Sequence, residues 1–206
     1  MPHDHHDHSP IEIDEGMPEE AQVLSEALRE LLIEKGLFTA DDVTKQVAAM
    51  SKRTPGNGAA IVARAWTDPD YKSRLLSNGP SAAKEMGFDI GAAQLLVVEN
   101  TPDVHNVIVC TLCSCYPVLL LGPSPEWYKS KNYRKRTVNE PRAVLKEFGT
   151  ELPDSMEVRV HDSTADMRYM VLPERPQGTE DWTEEKLAEL VNVDALIGVS
   201  TANSPV

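Results

Sequence analysis

All three cysteines of this 206-residue chain fall in one stretch, Val109-Cys110-Thr111-Leu112-Cys113-Ser114-Cys115. Sulfurs so close in sequence act together only if a rigid element delivers the first and a tight loop returns the other two. Disulfides do not suit them. An odd count leaves one thiol over, and Cys113 and Cys115 are too close for an unstrained bridge. Thiolates are good ligands for transition metals, so a single metal ion is the first reading.

The spacing makes that reading specific. With one ion held by the sulfurs of Cys113 and Cys115, the amide nitrogens of Ser114 and Cys115 lie inside the same loop. Sulfur of Cys113 to nitrogen of Ser114 closes a six-membered chelate ring. The next two links, Ser114 nitrogen to Cys115 nitrogen and Cys115 nitrogen to its own sulfur, close five-membered rings. Two sulfurs and two deprotonated amides then share a plane, Cys110 caps it from one side, and the sixth position stays open for substrate. Three other uses stay in view. A structural zinc site needs a fourth ligand, for which His105 and His161 are the candidates. A thioredoxin-like pair at Cys110 and Cys113 would open a helix after a strand and leave Cys115 surplus. An iron–sulfur cluster normally needs a fourth thiolate, and the chain has none.

From Cys110 to Pro117 the residues run Cys-Thr-Leu-Cys-Ser-Cys-Tyr-Pro, which resembles the metal loop of nitrile hydratase alpha subunits and of the thiocyanate hydrolase gamma subunit. The likeness continues at Pro125-Glu126-Trp127-Tyr128-Lys129, Tyr133-Arg134, Glu140-Pro141-Arg142, Val171-Leu172-Pro173 and Arg175-Pro176. It reaches back to Ala65-Trp66-Thr67-Asp68-Pro69, and so spans roughly residues 20 to 200. Thr111 matches the cobalt-type loop, where the iron type usually carries serine.

The resemblance implies a non-corrin, low-spin Co(III) centre, with Fe(III) as the alternative, held by Cys110, Cys113, Ser114 and Cys115. It implies that Cys113 becomes a sulfinic acid and Cys115 a sulfenic acid, while Cys110 stays a thiolate. A Lewis-acidic ion makes the nitrile carbon electrophilic, and the sulfenate oxygen of Cys115, or a water it activates, attacks to give the amide. Cys115 and Ser114 are thus the catalytic candidates, Ser114 ordering water or the loop. The implied partner is a beta-type subunit, in one chain or split into two, that supplies arginines. In this chain, no Lys or Arg lies between Lys84 and Lys129. The alternatives are a gamma-type thiocyanate hydrolase subunit and a non-catalytic zinc-binding subunit.

One departure touches the substrate. Family members usually show Trp-Pro or Arg-Pro after Tyr-Pro, whereas this chain has Val118-Leu119. Valine in place of tryptophan removes a large indole volume, so bulky or aromatic nitriles are expected to fit. The following Gly122-Pro123-Ser124-Pro125-Glu126-Trp127 resembles thiocyanate hydrolase slightly more than nitrile hydratase.

The rest of the chain frames the loop. Residues 1–16 hold four of the six histidines, His3, His5, His6 and His8, and read as a polar, disordered leader. Residues 17–55 read as a helical arm that contacts a partner. Pro18, Glu19 and Glu20 start its first helix, Gly36 ends it, and Thr39 caps the second. Ser51 to Gly58 reads as a break. Residues 56–206 form the expected metal-binding catalytic domain. Its helices begin at Asp68-Pro69, Ser81, Glu140-Pro141 and Thr183, and its strands lie at Gln94–Glu99, His105–Val109, Glu157–Val160 and Met167–Leu172. The fold class expected is α+β, a helical arm followed by a layered domain with mostly antiparallel strands and the metal loop at a strand end.

A hydrophobic fraction of 41% supports a real core, and the net charge of −13 argues against nucleic acid as a partner. No signal peptide or membrane-spanning run is visible, so a cytoplasmic location is expected.

Overall fold

The computed structural model describes residues 18–205. The histidine-rich leader lies outside the described residues. Two helices come first, α1 (Glu19–Glu34) and α2 (Ala40–Ser51), and neither has a buried residue. Their starts follow local chemistry. Pro18 precedes α1, with Glu19 and Glu20 in its first turn at the positive end of the helix. Thr39 and Asp42 form a reciprocal capping box on α2. Val23, Leu24, Leu28, Leu31, Leu37, Val47 and Met50 all remain exposed along this arm, Leu24 at 70%.

The expected break narrows to residues 52–54, because Pro55 opens α3 (Pro55–Thr67). Gly58 lies inside that helix. A Cβ there would approach Leu121 to 2.5 Å and Leu196 to 2.8 Å, so the missing side chain is what lets α3 seat in the core. Asp68 and Pro69 start α4 (Pro69–Ser77), as the sequence implies. The next helix, α5 (Gly79–Glu85), begins two residues earlier than Ser81. Asn78 caps it by accepting the Ser81 N–H at 3.0 Å.

Four strands follow: β1 (Gln94–Glu99), β2 (Val104–Val109), β3 (Glu157–Asp162) and β4 (Met167–Leu172). Between β2 and β3 run α6 (Val118–Leu121), α7 (Glu126–Lys129), α8 (Lys131–Asn139) and α9 (Pro141–Glu147). Two short helices close the chain, α10 (Glu184–Ala188) and α11 (Val193–Ile197). The helix expected at Thr183 is capped by that residue and ends at Ala188, and α11 goes beyond the sequence reading.

The strand pairing corrects the expectation of mostly antiparallel strands. β1 pairs parallel with β4, and β2 pairs parallel with β3. The links Asn100–Asp103 and Ser163–Asp166 look like hairpin turns, yet each hands the chain from one ladder to the other. Only an isolated antiparallel bridge, Thr101 to Val104, survives at the first link. Parallel partners require long crossovers. The helices α6 to α9 supply one between β2 and β3.

Asn100 anchors the switch between ladders. Its N–H extends the first ladder to the Leu172 carbonyl at 2.9 Å, and its side-chain oxygen accepts the Asn106 N–H at 2.8 Å. His105, read in the sequence as a strand residue and as a candidate ligand, is buried in β2. Its Nε2 lies 2.7 Å from the Gly198 carbonyl, and burial holds its pKa below the ordinary histidine value. Gly198 has φ of 88°, and a Cβ there would overlap the Asn106 carbonyl oxygen. One continuous core runs from α3 through both ladders to α11. Among the described residues no helix is long and apolar enough to cross a membrane.

Candidate metal centre

Cys110 is the first residue beyond β2 and is fully buried, Cys113 is exposed and Cys115 half-buried. The three sulfurs lie within 4.8 Å of one another. Cys110 and Cys113 are 3.6 Å apart at sulfur, and Cys113 and Cys115 are 3.0 Å apart. Among the described residues this is the one cluster of His, Cys, Asp and Glu with ligand atoms close enough to hold an ion, and neither His105 nor His161 joins it. His161 instead places Nε2 2.8 Å from the Asn106 side-chain oxygen. The fourth protein ligand of a tetrahedral zinc site is therefore not assembled here.

The loop turns back through Ser114, whose φ of 56° makes it the one non-glycine residue in the left-handed region among those described. Its hydroxyl donates to the Cys113 carbonyl at 2.6 Å. The turn aims backbone N–H groups inward, with Cys113 N–H donating to the Cys110 sulfur at 3.3 Å. Burial pushes the Cys110 thiol up, but the N–H groups of Cys113, Cys115 and Leu112, with the Cys113 side chain, outweigh it and hold the thiol below its ordinary value. For Cys115, burial and the hydrogen bond with Cys113 win, and its thiol is pushed up to about 12 against the pull of Arg168.

This donor set fits a metal ion. Three soft sulfurs converge on one point, and the Cys115 amide nitrogen faces the same point.

The surroundings hold the loop from several sides. Asp162, at the end of β3, accepts the Thr111 N–H at 2.9 Å and the Thr111 hydroxyl at 2.7 Å. From α8, Arg134 reaches the carbonyls of Leu112 at 3.1 Å and Thr111 at 3.4 Å. Tyr128 donates to the Cys115 carbonyl at 2.8 Å, and Tyr133 to the Ile108 carbonyl at 2.6 Å. Both tyrosines are fully buried in an aromatic cluster with Trp127 and Phe148. Arg136, on the same helix as Arg134, is not a solvated basic residue. It is 4% exposed and pairs with Glu140 at 2.6 Å and Glu147 at 2.5 Å.

On the sequence profile described as "Nitrile hydratase, alpha chain", residues 19–200 match. This chain belongs to the nitrile hydratase alpha chain family. It is 48% identical to the low-molecular weight cobalt-containing nitrile hydratase subunit alpha of Rhodococcus rhodochrous, over 91% of each chain. It is 45% identical to the thiocyanate hydrolase subunit gamma of Thiobacillus thioparus, over 87% of this chain and 79% of that one. Among solved structures, a double mutant of Fe-type nitrile hydratase from Comamonas testosteroni Ni1 superposes with a TM-score of 0.85 at 48% identity, covering 92% of this chain and 94% of that one. Membership of the nitrile hydratase alpha chain family thus covers both the metal loop and the body that carries it.

The sequence reading located the cysteines and Ser114 but not their supports. Asp162 lay beyond the strand expected to end at Val160, and Arg134 stood in a family-like segment beside Tyr133. Tyr128 and Tyr133 stood in family-like segments with no local sign of what they hold. The partners of all four lie far away in sequence, so no spacing rule points to them.

Proposed function

We propose that this chain is the metal-bearing alpha subunit of a nitrile hydratase, with cobalt in the loop, hydrating a nitrile to its amide. The observation that carries this is the convergence of the three sulfurs at the end of β2 in a member of this family. Cys110, Cys113 and Cys115 would supply sulfur, and Ser114 and Cys115 amide nitrogens. A bound trivalent ion would supply Lewis acidity toward the nitrile. The residues of the chain do the rest. Cys115, as its sulfenate, presents the attacking oxygen or takes a proton from the attacking water. The left-handed turn at Ser114 keeps the sulfurs of Cys113 and Cys115 on one side of the loop. Buried Cys110 closes the site from behind, so substrate approaches from the exposed side.

The test is an assay of the purified complex with a nitrile, following amide, and with thiocyanate, following carbonyl sulfide, alongside elemental analysis. Amide formation with stoichiometric cobalt is expected. Iron in that amount would overturn the metal assignment, and carbonyl sulfide release without amide would favour the gamma-type reading, which the Gly122-to-Trp127 segment and the Thiobacillus relative support. A zinc-bearing, non-catalytic subunit would lack a visible charge-transfer band.

The arm formed by α1 and α2 is read as the part that contacts a beta-type partner. Among the described residues, Val23, Leu24, Leu28 and Val47 on it stay exposed, and the relatives are themselves named as subunits.

A pocket of about 260 Å³ adjoins the loop, lined by Ile90, Leu95, Tyr116, Val118, Leu119 and Arg168. Val118 is 40% exposed there, so the smaller side chain leaves open space for a substrate's substituent. Val118→Trp is therefore expected to lower kcat/KM for aromatic nitriles by about tenfold or more, within the range of a filled hydrophobic pocket, and to spare acetonitrile-sized ones. Equal loss for both would remove Val118 from the substrate's path.

A further inference from the structure

Thr111 follows the buried cysteine directly, and both of its hydrogen-bonding donors go to one carboxylate. The Asp162 oxygens take the N–H at 2.9 Å and the hydroxyl at 2.7 Å, one each. Asp162 sits opposite Val109 in the parallel ladder, and the next residue, Ser163, donates its N–H to the Val109 carbonyl at 2.7 Å. The end of β3 is thus registered on the residue just before Cys110, and its last side chain grips the residue just after. On the next two peptides of the loop, Arg134 donates to the carbonyls of Thr111 and Leu112. An anion on the donors and a cation on the acceptors hold one short segment by charge-assisted bonds.

We propose that Asp162 is a positioning residue for the metal centre, latching Thr111 and thereby fixing where Cys113 and Cys115 stand relative to Cys110. Cys110 itself needs no such help, since it is buried and continuous with β2. The other two sulfurs hang on the loop beyond Thr111, and Cys113 is exposed. Without the latch, the segment from Thr111 to Leu112 keeps Arg134 and the Leu112 N–H on the Cys110 sulfur, and the sulfur triangle loses its tie to β3. The hydroxyl at position 111 then serves the carboxylate rather than the ion. This rests on the loop being the metal centre.

The test uses the full complex loaded with cobalt and compares Asp162→Ala, Thr111→Val, Thr111→Ser and the Asp162→Ala/Thr111→Val pair. The readouts are cobalt lost to an excess of chelator, the position of the sulfur-to-metal absorption band, and the melting temperature. Loss of a side chain that orients a ligand weakens metal holding by about 10–100-fold. Asp162→Ala is expected in that range with a shifted band, and Thr111→Val is expected to be milder because the N–H bond survives. Thr111→Ser keeps the hydroxyl and should restore wild-type retention and band. The double variant should be no worse than Asp162→Ala alone, because one latch is broken once. A lowered melting temperature with an unmoved band and unchanged retention would make Asp162 structural only and overturn the proposal. So would a double variant as weak as the product of the singles. Thr111→Val, near-isosteric and exposed, decides the matter should Asp162→Ala fail to fold. A wild-type complex that takes no cobalt would instead refute the metal assignment and leave the proposal without a centre to position.

Discussion

Cys115→Ser is expected to abolish hydration, lowering kcat by at least about a thousandfold, within the span of a lost acid–base group. Serine keeps a small oxygen but cannot form a sulfenate, and it removes one of three sulfurs that meet within 4.8 Å. Mass spectrometry of the loop peptide from active complex should find added oxygen on Cys113 and Cys115 and none on Cys110. Exposure runs the same way, since Cys113 is open, Cys115 half-covered and Cys110 sealed. Three unmodified thiols in a fully active sample would refute the mechanism. Full activity in Cys115→Ser would do the same.

The isolated chain, loaded with cobalt, should gain at least about a hundredfold in activity when its partner is added, the size of effect seen when donors to a developing charge are lost. The reason is a charge count. A trivalent ion brings +3, and three ionised sulfurs with two deprotonated amides bring −5, leaving about −2 in a partly buried site. Uncompensated buried charge costs several kcal/mol, so cations must come close. This chain offers little. Arg134 is committed to the carbonyls of Thr111 and Leu112, Arg136 to Glu140 and Glu147, and Lys129 to Glu126. Arg168 bears on Cys115, but its guanidinium also serves the Thr164 and Met167 carbonyls. Arginines from a beta-type chain would complete the balance, each gripping two oxygens through its planar fork. An isolated chain as active as the complex would refute this, and so would a complex in which every cation near the sulfur oxygens belongs to this chain.

The parts that the sequence made legible are those governed by neighbours. Thr39 with Asp42, Asp68 before Pro69, and Thr183 before Glu184 each cap a helix through atoms three residues away. The loop was legible because its ligands are covalently adjacent. Strand partners are chosen across the whole chain, and a short link such as Asn100–Asp103 carries the same signal whether it closes a hairpin or passes between ladders. Gly58 misled for a related reason. Glycine is a poor helix former, so a pair of glycines after a proline suggests a break. The side chains of Leu121 and Leu196, far off in sequence, are what call for a residue without a Cβ. The helix α11 was hidden because it spans only five residues, too few to show a period.

The parallel ladder has a cost in time. Thr111 and Asp162 stand 51 residues apart in sequence, and the four helices between must be laid across before β3 can dock on β2. Such long-range pairings form late in folding. A newly made chain therefore carries its three thiols, all of them beyond the end of β2, through an interval in which no docked β3 restrains them. During that interval they are ordinary cysteines, open to stray oxidants and to any soft metal at hand.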